Sequence, residues 1–354
     1  MVISPVHFPS YRFWPRNKRG DAFSHPAFYF QMGSWALAYG IMAMAKRSGK
    51  EKVCVWFPDY FCREPLAVLK RFPIDVGYYP VQKNLTPDFE ALSGMVEFGA
   101  PDALVLVHYF GFSNDLAGAK VFCEKHGIDL IEDCAHVMMP YGNVGTSGTM
   151  SFWSPWKFFP VPELGVLWIR DDLKQFLEVP DPQYEAWSLA KWLAKREVQR
   201  LLCGVGVNWY QRFHSSPSPP LTDAFPNSLS MRLFHTYLRN TDHIRARRIE
   251  NYSVLESLFK ARYPEALVMT RSGDAVPYAF PCLTQKPANE ISKELIARGI
   301  PAFPWPALPD EVVDNSKMHK TAQWLAGHIL LLPIHQNISL RQMEYITQQL
   351  STIW

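Results

Sequence analysis

The stretch from Leu130 to Ile169 reads LIEDCAHVMMPYGNVGTSGTMSFWSPWKFFPVPELGVLWI. It begins with the end of an apolar run that closes on Asp133. A glycine-spaced loop follows, from Gly142 to Gly148. A single lysine, Lys157, then stands among tryptophan, phenylalanine and proline, just before a second apolar run. Runs of this length and composition predict buried strands. The lysine is the unusual residue. Burying an ammonium is costly unless it is paired or loses its charge. A surface lysine snorkelling over apolar neighbours is the ordinary explanation. The other is an amine that must be neutral, as in imine formation with an aldehyde.

The same alternation of apolar runs and helical patterns extends on either side. Lys52–Pro58, Ile74–Val81, Asp102–Phe110, Ile128–Asp133 and Gly165–Asp172 have strand character, while Pro65–Phe72 and Leu116–Gly127 have helical spacing. Strands apolar on both faces, alternating with helices, predict a mostly parallel sheet covered on both sides. Ligands of such sheets sit beyond the carboxyl ends of the strands, where Asp133, His136 and His108 fall. The second half differs. Ser228–Phe259 predicts one long arginine-rich helical region. Pro277–Leu283 and His328–His335 read as strands, and Ala288–Gly299 and Ser339–Leu350 as helices of a smaller domain. The expected division is 1–240 and 241–354, with a proline- and serine-rich loop at His214–Asp223 and no internal repeat.

Composition narrows the function. A chain of 354 residues, 48% hydrophobic, predicts two domains with sizeable cores. A net charge of +3 gives no argument for nucleic acid or an anionic membrane. No apolar run reaches the ~18 residues of a membrane span. The first twenty residues lack a basic-then-apolar leader pattern, and the six cysteines are scattered without a C-x-x-C, which predicts a cytoplasmic protein. The eleven histidines form no H-x-x-x-H pair, so no metal is expected. The Gly142–Gly148 loop has the wrong spacing for a dinucleotide turn and predicts a flexible, hairpin-like loop. The arginines of Arg245–Asn251 predict a solvated helix face with internal salt bridges, or a contact with a partner subunit.

Three features favour the neutral-amine reading of Lys157. Asp133 ends a strand at the ligand edge, and a carboxylate there holds a pyridine nitrogen protonated, making the ring an electron sink. Gly33 and Ser34 open an apolar helix in MGSWALAYGIMAM (Met32–Met44), and free amides at a helix N-terminus suit a phosphate. Ser151 and Ser154 precede Lys157 as further phosphate donors. Phosphate site, carboxylate and imine-forming lysine together meet the needs of pyridoxal 5'-phosphate.

With these residues the sequence resembles the DegT/DnrJ/EryC1/StrS family of pyridoxal-phosphate-dependent sugar aminotransferases, from about Phe30 to the C-terminus. The family's block before its cofactor histidine or glutamine appears as EDCAH (Glu132–His136), its helix start as MGSWAL (Met32–Leu37), and its lysine segment as SFWSPWKFFPVPELG (Ser151–Gly165). HYFGF (His108–Phe112) and RARRIENY (Arg245–Tyr252) are also similar to family blocks. The resemblance implies an aspartate aminotransferase-like fold of type I, with a large cofactor domain and a smaller C-terminal α+β domain. It implies Lys157 as the Schiff-base lysine and proton shuttle, Asp133 on the pyridine nitrogen and His136 near the ring. Gly33, Ser34 and Trp35 would cradle the phosphate, with Ser151 or Ser154 completing it. One of Tyr60, Phe61 and Cys62 would line the ring face. It further implies a homodimer with a shared site, Asn227 being the residue offered to the neighbouring chain. The substrates implied are an amino donor such as glutamate and a keto-sugar, possibly nucleotide-linked, for polysaccharide or secondary-metabolite sugars. Two positions depart from the pattern: Leu164 replaces a usual glycine, and the spacing from Phe152 to Lys157 is one residue longer than usual. Alternatives on the same scaffold are a dehydratase- or epimerase-type reaction and a catalytically silent binding member. The dehydratases of the group carry histidine in place of the lysine.

Overall fold

A computed structural model describes residues 1–9, 27–212, 223–271 and 273–354. Seven strands form the large sheet: β1 (Phe28–Phe30), β2 (Val53–Pro58), β3 (Ile74–Tyr79), β4 (Ala103–Val107), β5 (Asp129–Asp133), β6 (Met150–Trp153) and β7 (Gly165–Ile169). Their order is β1-β7-β6-β5-β4-β2-β3. β7 runs antiparallel to β1 and β6, and the remaining pairings are parallel. β4 is buried at every position, as a central strand covered on both faces must be. The covering helices include α1 (Gly33–Arg47), α2 (Glu64–Leu69), α3 (Phe89–Val96) and α4 (Leu116–His126). Asp115 caps α4, and Gly127 ends it at φ 66°, a conformation glycine adopts without steric penalty.

The strand expected over Asp102–Phe110 stops at Val107. Phe110 and Gly111 take positive φ, 58° and 97°, and turn the chain towards the end of β5. A side chain on Gly111 would overlap the Val276 carbonyl and come within 3.0 Å of the His136 carbonyl.

A long helix, α5 (Ala186–Gly204), lies where the sequence patterns predict no element. The single helical region expected over Ser228–Phe259 is two helices, α6 (Ser228–Tyr237) and α7 (Thr241–Arg262), joined by a 3-10 turn. The loop expected at 214–223 lies, except for Asp223, outside the described residues.

A second sheet follows, β8 (Phe280–Leu283), β9 (Phe303–Pro304) and β10 (Ile329–Leu332), antiparallel in the order β8-β10-β9. α8 (Ala288–Ala297), α9 (Asp310–Asp314), α10 (Lys320–His328) and α11 (Leu340–Leu350) accompany it. Ser339 and Gln342 cap α11 reciprocally. The first residues pack on this part of the chain: the Ile3 amide donates to Gly299 O, and His335 Nε2 bonds Ser4 O. One hydrophobic cluster continues from the large sheet into residues around β8 and β10. Among the described residues no helix is long and apolar enough to cross a membrane.

Candidate active site

β5 and β6 are parallel neighbours with Asp133 opposite Phe152. The end of β5 therefore presents Asp133 beside the chain leaving β6. That chain turns at once: the Lys157 amide donates to Ser154 O at 3.1 Å, closing a 3-10 turn over Pro155–Lys157. Asp133, Ser154 and Lys157 line one cavity of about 610 Å³, together with Gly33, Ser34, Trp35, Cys62 and His136.

The electrostatics follow from burial. The Lys157 ammonium has two aromatic rings near it, Tyr278 at 5.6 Å and Trp156 at 5.9 Å. Burial lowers its pKa, opposed by Cys62, Asp133 and Glu64. Burial raises Asp133 to about 6, against the Ala135 amide bonded to its Oδ1 and the charge of Lys157. Burial also lifts the Cys62 thiol to about 12, so it stays protonated. His136 stacks between Tyr278 (4.6 Å) and Phe110 (5.7 Å). Its Nδ1 accepts the Phe110 amide, and burial with the Lys157 charge keeps the ring neutral.

The far end is built on α1. No side chain caps this helix. The Trp35 and Ala36 amides return to Met32 O, while those of Gly33 and Ser34 precede any intrahelical acceptor. A Cβ on Gly33 would lie 2.6 Å from Ser154 Oγ and 3.2 Å from Trp153 O, so the helix start is pressed against the exit of β6. A Cβ on Gly165 would overlap the Met32 carbonyl. Of the pair Leu164–Gly165, the glycine stands where backbones touch, and Leu164 is buried in an apolar cluster. Bare amides with an adjacent hydroxyl at one end, and a carboxylate and an amine on the same cavity, fit pyridoxal phosphate.

Two residues expected at this cavity, Ser151 and Phe61, do not reach it, and Asn227, expected at the neighbouring chain's site, lies away from it. Ser151 points the other way, its hydroxyl donating to Gly145 O at 2.6 Å. Phe61 is buried in the core against Phe57, 5.0 Å between centroids. Of the trio Tyr60, Phe61 and Cys62, it is Cys62 that faces the cavity. Asn227 caps α6 and donates to Glu185 O and Ser188 Oγ, away from the cavity of its own chain.

Other contributors were not anticipated. Tyr278 and Trp305 line the cavity from the second sheet's side, and no local pattern marks either. Glu132 points away from the cavity and accepts the amides of Gly145, Ser147 and Gly148, each at 2.7 Å, and a bond from His108 Nε2 at 3.0 Å. The loop expected to be flexible is thus wrapped around a carboxylate. His108, Glu132 and Cys134 lie close enough to resemble a metal site, but both Glu132 oxygens are already taken by these donors. Arg248 is fully buried, not solvated. It donates to Pro277 O, Tyr278 O, Gln336 Oε1 and Lys157 O.

Residues 74–176 match the family described as DegT/DnrJ/EryC1/StrS aminotransferases. That segment holds Asp133, His136, Ser154 and Lys157. Solved structures related to DegT aminotransferases share the fold over most of the chain. An aminotransferase of this family from Brucella abortus superposes with a TM-score of 0.66 at 14% identity, over 93% of this chain and 86% of that one. S. venezuelae DesV, solved with a ketimine intermediate, gives 0.65 at 16% over 94% and 85%. The E. coli GDP-4-keto-6-deoxy-D-mannose-3-dehydratase, solved with hydrated PLP, gives 0.64 at 17% over 92% and 87%. No curated protein sequence matches the chain. The mostly parallel seven-stranded sheet and the smaller second sheet are those of fold type I.

Proposed function

We propose that this chain is a pyridoxal-phosphate-dependent aminotransferase that moves an amino group from an amino acid, glutamate by analogy, to the keto group of a sugar. One observation carries the reading: Lys157, Asp133 and the uncapped start of α1 meet on a single cavity. When bound, the cofactor supplies an aldehyde carbon for amines and a ring that takes up the electrons released at the substrate's α-carbon. Lys157 would hold it covalently, and Gly33, Ser34 and Ser154 would take its phosphate. Asp133, ionised opposite a cation, would keep the ring nitrogen protonated. Once free, the Lys157 amine, kept from permanent protonation by its burial, would take a proton from the substrate's α-carbon and return it to the cofactor carbon that carried the aldehyde. Such positioned proton transfer contributes roughly 10²–10⁴-fold. His136, neutral and stacked on Tyr278, would pack beside the ring.

The acceptor belongs with nucleotide-linked keto-sugars of polysaccharide or secondary-metabolite synthesis, and the site is completed in a cytoplasmic homodimer by Asn227 of the second copy. This extension rests on the family analogy. The division at residue 240 is part of the same reading, with Tyr278 reaching the site from the C-terminal domain.

The test is an absorbance scan of the protein with cofactor. A band at roughly 400–430 nm, abolished by borohydride, is expected. Glutamate should then convert it to a shorter-wavelength form. A band that glutamate leaves unchanged would turn the reading towards dehydration or a silent binding protein. Absence of any band would end it.

A further inference from the structure

A second cavity, of about 230 Å³, adjoins the first. The two meet at Trp156, Lys157, Tyr278 and Trp305, which line both. Around the smaller one stand two guanidinium groups, Arg196 from α5 and Arg248 from α7, with His7 and His335; among the described residues its lining holds no Asp or Glu. Neither arginine forms an ion pair among the described residues. Arg248 spends its donors on neutral acceptors, mostly backbone carbonyls, and burial drags its pKa down to about 9. Arg196 stacks on Trp192 at 5.2 Å and gives Nη1 to Gln199 Oε1 at 2.7 Å, leaving its buried Nε without a partner. His7 and His335 add no compensating charge. Burial, reinforced by Arg248, holds both below the usual imidazole range, and His335 reaches about 4.

Two uncompensated cations beside an apolar cavity cost solvation free energy that an anion would restore. The lining decides its type. Arg248 is locked in a cage of carbonyls, so Arg196 is the guanidinium with bonding capacity to spare. A single planar fork matches a planar carboxylate, whereas a phosphate dianion calls for several converging donors. We propose that this cavity is a carboxylate subsite: Arg196 binds the carboxylate of the amine-donating substrate, and Arg248 supplies fixed positive charge behind it. The assignment to the donor rests on reading the larger cavity as the site of amino transfer. It makes α5, which lies outside the matched family segment, a specificity element.

The probe is glutarate, a dicarboxylate without an amine, titrated calorimetrically into the protein with and without pyridoxal phosphate. Glutarate should bind the parent protein, and Arg196→Gln should weaken it by ~10-fold or more, with Arg196→Lys between the two. Arg196 is half-buried, and an unchanged melting temperature shows that each variant is folded. In turnover, Arg196→Gln should raise KM for a dicarboxylic donor by a similar factor and leave kcat within a few-fold. Equal glutarate affinity in parent and Arg196→Gln overturns the subsite. Inorganic phosphate that displaces glutarate and binds more tightly overturns the carboxylate assignment. A protein that takes up no cofactor defeats the transfer reading, while cofactor-free glutarate binding still decides whether Arg196 holds an anion.

Discussion

Asp133 is an acid in a site made for its base. Burial lifts its pKa to about 6 despite the Lys157 charge, against ~3.9 in an unfolded chain. Between those values the folded protein binds more protons than the unfolded one. The stabilisation is therefore full below about pH 4 and is lost as pH rises through about 6. The shift sets an upper bound of roughly 3 kcal/mol. Urea unfolding of cofactor-free protein should show Asp133→Asn gaining on the parent by up to that amount between pH 4 and pH 7. A stability difference that does not change with pH would refute the argument. Lys157→Ala tests the other end of the site: the borohydride-sensitive band should vanish, and turnover should fall at least ~10²-fold. A mutant that colours and bleaches like the parent would remove the lysine from the chemistry. Both residues were legible in the sequence because each breaks a local pattern, an acid closing an apolar run and a cation among aromatics. Arg248 was not. Its carbonyl acceptors come from residues 157, 277 and 278, and nothing in RARRIEN marks which arginine will meet them.

At the scale of elements, helices were legible where periodicity is clear, as in α4, which ends on Gly127, and α11, which follows Ser339. α5 was missed because its face is mixed, with Trp187, Val198 and Leu201 exposed beside lysines. The join of α6 and α7 was missed because the 3-10 turn at Leu238–Asn240 contains no proline or glycine. The 142–148 loop was misjudged for a different reason: glycines indicate freedom, and only the fold shows the carboxylate that removes it. Glu132 holds three amides of that loop while Asp133, next in sequence, faces the cavity. Glu132→Gln leaves one acceptor oxygen where two stood and should cost about 3 kcal/mol, since bonds to a charged acceptor are worth ~1.5–3 kcal/mol each. Hydrogen exchange at Gly145, Ser147 and Gly148 should accelerate with it. Unchanged protection of these amides would show that the loop is held by something else.

The two sheets are joined at the mouth of the site. The Tyr60 hydroxyl donates to Trp305 O, the Arg63 amide to Ala307 O, and His319 Nδ1 meets Asp59 Oδ2 at 3.1 Å. Trp305 packs edge-on against Tyr60, Phe110 and His136, at 5.4, 5.4 and 5.1 Å. One apolar cluster runs through both parts. Parts that share a core and a set of hydrogen bonds unfold together when opening the junction costs more than either part's own margin of stability. Calorimetry of the parent protein should therefore give one endotherm with equal calorimetric and van't Hoff enthalpies. Trp305→Ala removes one of the four residues that line both cavities. It should cost about 3 kcal/mol, as large-to-small changes at packed sites do, and raise the calorimetric ratio above one as the parts begin to melt separately. Two endotherms in the parent would mean that the junction is a docking contact rather than a common core, and that the site is assembled by two bodies able to part.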